Sequence, residues 1–72
     1  MIMATVLNLR MTAKQAVLLH EGEIVSSEDR VGVLYAAKQG SINCGYLEFK
    51  RDGKTLYKAL FVDDVVTVIR WA

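Results

Sequence analysis

Seventy-two residues carry nine Lys and Arg against eight Asp and Glu, a net charge of +1, with one His, one Cys and no Pro. A single Cys excludes an internal disulfide, and a lone His beside it leaves no ligand set for an all-protein zinc site. Near-neutrality is far from the basic balance of a dedicated nucleic-acid binder.

A chain of this length holds one domain, 1–72. At ordinary per-residue averages it folds with about 4–11 kcal/mol, a thin margin. With Gly counted and Tyr left out, about 56% of the residues are apolar, where globular chains hold roughly 45–50%. A small domain has proportionally more surface to cover and should be less apolar than average. The surplus predicts apolar surface held against another chain, either a second copy or a protein partner. Neither a leader nor a membrane span accounts for it. Residues 1–9 are apolar with no basic residue ahead of them, Arg10 and Lys14 follow closely, and no apolar run approaches 18 residues. A free Cys without a leader fits a reducing compartment, so a soluble, cytoplasmic protein is expected.

Residues 2–9 are β-branched and apolar enough for a first strand. Thr12 then opens a helix over 13–21: Gln15, three residues on, completes a capping box, and Gly22 suits the left-handed position after the last turn. Ala13, Ala16, Val17 and His20 share one face of it.

The stretch 23–39 has two readings. Ser27, Glu28 and Asp29 could cap a helix over 28–39, with Val31, Leu34, Tyr35 and Lys38 at helical spacing. That would bring the chain close to a winged-helix layout. Against it, Gly32 would cost about 1 kcal/mol in a helix interior, and Val31, Val33 and Tyr35 alternate as a strand does. Strand is favoured.

From Ile42 onward the pattern is clearer. Asp52-Gly53 is the strongest short hairpin signal, because a type I′ turn needs positive φ at both central residues. A two-residue loop pairs Arg51 with Lys54 and Phe49 with Leu56. One face then carries Leu47, Phe49, Leu56 and Leu60, and the other Cys44, Tyr46, Tyr57, Ala59 and Phe61, with Glu48, Lys50 and Thr55 toward the tip. Asp63-Asp64 interrupts, and a last strand runs over Val65–Trp71. The segment made of residues 56–61, the acidic turn and residues 65–69 is similar in outline to small SH3-like or Sm-like barrels. The fold expected is therefore α+β and mostly β. One short helix would pack on a strongly bent antiparallel sheet, or a small SH3-like barrel, of four to five strands.

Chemistry is scarce. His20 and Cys44 are the one nucleophile and base pair by type, and each has an ordinary structural reading, a half-exposed imidazole on a helix and a small core residue. Asp63 and Asp64 could bind a cation, yet neighbours in a strand point to opposite faces and a turn explains them better. No phosphate-binding glycine pattern occurs. A non-enzymatic binding or regulatory module is expected, with no cofactor and no metal. It would act as a homo-oligomer or through a protein partner.

Charge placement gives a second reading. Residues 20–29 hold four carboxylates and no Lys or Arg, while residues 46–58 hold Lys50, Arg51, Lys54 and Lys58 against Glu48 and Asp52. With Tyr46 and Tyr57 alongside, this basic hairpin could contact phosphates and stack a base, making the protein a nucleic-acid-binding regulator. The ordinary account is that edge hairpins carry Lys to prevent aggregation. Opposite clusters on identical subunits could also steer copies together.

Overall fold

The computed structural model describes residues 5–71, so the expected strand start at residues 2–4 lies outside them. Strand β1 (Val6–Thr12) runs directly into helix α1 (Ala13–His20). Thr12 is the hinge between them: its side chain accepts from the Gln15 N–H at 3.3 Å, and the Gln15 side chain accepts from the Thr12 N–H at 3.4 Å. The capping box is thus formed as the sequence predicts. The next free donors of the helix are taken from across the fold. Ala13 N–H donates to the Asp64 carbonyl at 2.7 Å, and Lys14 N–H to the Val62 carbonyl at 3.4 Å. These contacts seat the start of α1 on the acidic turn. Gly22, at φ +86°, ends the helical segment in the left-handed conformation.

Five strands follow: β2 (Ile24–Ser27), β3 (Arg30–Ala36), β4 (Gly45–Arg51), β5 (Lys54–Leu60) and β6 (Val65–Trp71). All six strands form one antiparallel sheet in the order β1-β6-β2-β3-β4-β5. The fold is α+β and mostly β, as expected, with two corrections. Among the described residues the strands number six, because a tight turn at Glu28-Asp29 divides the ambiguous stretch into β2 and β3. This also overturns the winged-helix alternative with 28–39 helical. The second correction concerns closure. Closure into a barrel would need the edge strands β1 and β5 to pair with each other; among the described residues β1 pairs only with β6 and β5 only with β4. The sheet stays open, with β1 and β5 as its edges.

The hairpin reading holds residue for residue. Arg51 pairs with Lys54 and Phe49 with Leu56, and Asp52 and Gly53 sit at φ 53° and 75°. Gly53 has open space where a Cβ would be, so a substitution there is opposed by backbone conformation alone. Gly53→Val is expected to cost about 1–3 kcal/mol, read as a lower unfolding midpoint, because a β-branched residue resists positive φ. An unchanged midpoint would contradict the I′ geometry.

The core lies between α1 and one face of the sheet. Val25, Leu34, Leu47, Leu60, Val66 and Val68 are at most 1% exposed, and so are Ala13 and Ala16 of the helix. Two alanines on the inward side of α1 let the helix approach the sheet closely. Gly45 completes the fit, since a Cβ there would lie 2.7 Å from Val17 Cγ2 and 2.6 Å from the Tyr35 carbonyl oxygen. Among the described residues no helix is long and apolar enough to cross a membrane.

Candidate interaction site

Strand alternation places every second residue on the face away from α1. The register strings Asn8, Ile69, Ile24, Val33, Glu48 and Tyr57 in one row across all six strands of that face. No element among the described residues covers it. Trp71 is 73% exposed, Tyr57 62%, Val31 54% and Ile24 43%, whereas Val25, Leu34, Leu60, Val66 and Val68 at alternate positions on the same strands are buried. Toward the β5 side, Tyr35 and Tyr46 stack at 5.5 Å between ring centroids, and Tyr57 meets Tyr46 edge-on at 5.6 Å. A shallow depression of about 330 Å³ opens between Tyr46 and Tyr57.

The six positions the sequence marks as a binding site do not form one surface. Lys50, Tyr46 and Tyr57 lie on the uncovered face, and Arg51, Lys54 and Lys58 on the helix-bearing face. Lys50 Nζ donates to Thr55 Oγ1 at 2.6 Å, and Lys58 Nζ lies 3.3 Å from the Glu28 carboxylate. The acidic segment is likewise engaged inside the chain. Glu21 accepts from the Ala36 N–H at 2.9 Å. Glu23 contacts His20 Nδ1 and Arg70 Nε, each at 2.9 Å. Asp29 pairs with Arg30, whose hydrogen bond holds that carboxyl below its usual range. The Arg30 guanidinium in turn lies 5.5 Å over the Phe49 ring. The two charge clusters of the sequence therefore touch within one molecule at a single pair among the described residues, Glu28 of the β2–β3 turn with Lys58 of β5.

The candidates for chemistry are also engaged. His20 is held by Glu23, and Cys44 Sγ donates to the Leu60 carbonyl at 3.5 Å. Desolvation pushes the Cys44 thiol above its usual range, which lowers its thiolate fraction. Asp64 Oδ2 accepts from the Phe61 N–H at 2.8 Å, so this carboxylate serves the turn. No group of three or more potential metal ligands occurs among the described residues.

Compared with family models, curated proteins and solved structures, the chain matches none. The geometry alone carries the functional reading.

Apolar residues on both sides of Val65–Trp71 signal the uncovered face within the sequence itself. It held no local sign of Glu23 bridging helix and sheet, because Arg70 is 47 positions away and the pairing depends on β6 lying beside β2.

Proposed function

We propose that this protein is a non-enzymatic binding module that works by association with another chain, first of all with copies of itself. The observation that supports this is the uncovered apolar face, set directly against the core-bearing face of the same strands. Burial of apolar surface stabilises by roughly 25 cal/mol per Å², and a standard interface takes about 800 Å² from each partner. The molecule measures 47 × 30 × 18 Å, so its two longer dimensions enclose more than that area. Trp71 and Tyr57 are the residue types that dominate binding energy when a partner buries them. Nucleic-acid binding, the second reading of the sequence, draws no added support from a basic hairpin whose cations divide between two faces.

Sedimentation velocity on the full chain tests this reading. At least a dimer is expected in the micromolar range. A monomer at every concentration would overturn self-association and leave capture of a different protein as the role of the face.

A further inference from the structure

The two edges of the sheet are built differently. Edge strand β5 carries Lys54 and Lys58 and ends in the charged Lys50 to Lys54 hairpin, the usual means of preventing strand addition. Edge strand β1 has little of this protection. Its sequence, VLNLRMT, contains one charge, no Pro and no Gly. It pairs with β6 through all seven residues without a bulge. No backbone bond to its outer side occurs among the described residues. Its core-side residues also end in the open: Leu7 is 42% exposed, and Leu9 and Met11 are partly buried. The hydrophobic layer under α1 stops here at a bare edge.

We propose that a second copy of this chain completes that edge, the two β1 strands running antiparallel about a two-fold axis normal to the sheet. The result is one continuous twelve-stranded sheet with both helices on the same side. The proposal rests on the self-association reading and adds the β1 edge to the uncovered face as a surface held between copies. Three constraints fix the register. Cross-strand partners share a face, so odd residues must oppose odd ones or the apolar row is thrown to the wrong side. That leaves registers centred on Asn8, Leu9 or Arg10. Centring on Arg10 sets two like charges directly opposite, which is unfavourable. Centring on Asn8 opposes only residues 6–10 of the two β1 strands to one another. Centring on Leu9 pairs all seven residues: Val6 with Thr12, Leu7 with Met11, Asn8 with Arg10, and Leu9 with its own copy.

This register also gathers exposed apolar groups. Val6 and Val65 are 45% and 52% exposed. On the uncovered face they line up as Trp71 and Val6 of one copy, then Thr12 and Val65 of the other, on each side of the axis. Exposed Leu7 comes to lie opposite Met11 of the second copy.

Asn8 is exposed and outside the core, so its charge can be changed with the fold intact. In the proposed register Asn8→Lys sets two like-charged pairs against Arg10 and is expected to weaken the dimer about tenfold. Asn8→Glu sets two attractive pairs and is expected to tighten it about threefold in low salt. Dissociation constants come from sedimentation equilibrium, with circular dichroism to show that both variants remain folded. Opposite signs for the two variants support the proposal. Equal weakening by both would place Asn8 against its own copy and overturn the register. A wild-type dimer indifferent to both would overturn the β1 edge while leaving self-association standing. A wild-type monomer would remove both readings.

Discussion

Gly32→Ala is expected to destabilise the fold by about 3 kcal/mol, at the upper end of the range for overpacking a dense interior. The cost comes from where β3 changes partners. Residues 30–33 of this strand pair with β2, and residues 33–36 pair with β4, so the sheet turns around Gly32 and Val33. The turn brings β4 so close that a Cβ on Gly32 would stand 2.3 Å from the Glu48 carbonyl oxygen and 2.9 Å from its carbon. Both are backbone atoms and cannot swing aside as a side-chain tip would. The strands would have to separate, breaking the Val33 and Glu48 pair. Gly32 is not in a left-handed conformation, so the penalty is steric, the reverse of the case at Gly53. For a domain of this size each kcal/mol moves the thermal midpoint by roughly 4–8 °C, and a drop of more than about 10 °C is the expected reading. A midpoint within about 2 °C of the parent would show that the two strands do not meet as closely as described.

Gly32 also shows what could be read in the sequence and what could not. Within the chain it appears as a weak point in a possible helix, which argues for strand but gives no positive role. The role depends on Glu48, sixteen residues away, and on the bend that brings the two together. Local chemistry was legible wherever both partners were neighbours. Thr12 with Gln15 fixed the helix start, and Asp52-Gly53 fixed the register of a whole hairpin. The Glu28-Asp29 turn was not legible, because Glu28 adopts φ 55°, a conformation uncommon for a residue other than Gly, Asn or Asp. Ser27-Glu28-Asp29 reads as a helix cap by composition, and tertiary pairing of β2 and β3 prevailed. The open sheet is illegible for a similar reason. The last third of the chain has the strand spacing of a small barrel, and whether it closes depends on the edge strand β1, which comes from the opposite end and does not pair with β5. The binding reading of the basic hairpin depended on counting charges along the chain. Alternation divides them between two faces, and Glu28 then claims Lys58.

Leu34→Ala is expected to cost about 2–5 kcal/mol, the range for emptying a fully buried leucine site. Leu34 is fully buried and pairs directly with equally buried Leu47 at the centre of the sheet. Its backbone is fixed as well: its N–H donates to the Glu23 carbonyl at 3.0 Å, and its carbonyl accepts from the Gly22 N–H at 2.7 Å. These bonds tie the end of the helical segment to β3. The side chain therefore has little freedom to collapse into the space left behind, which favours the upper part of the range. Set against a total of about 4–11 kcal/mol, the loss would leave a marginal fold, visible as a much lower urea midpoint. Leu18→Ala is the control, because Leu18 is 73% exposed on the outer side of α1 and surface changes of this kind stay within about 0.5 kcal/mol. Leu34 and Leu18 are the same residue type, so composition and transfer free energy cannot separate them. Only the assignment of faces can. Comparable losses at both positions, or a Leu34→Ala cost below about 1 kcal/mol, would mean that α1 does not cover the face of the sheet described above.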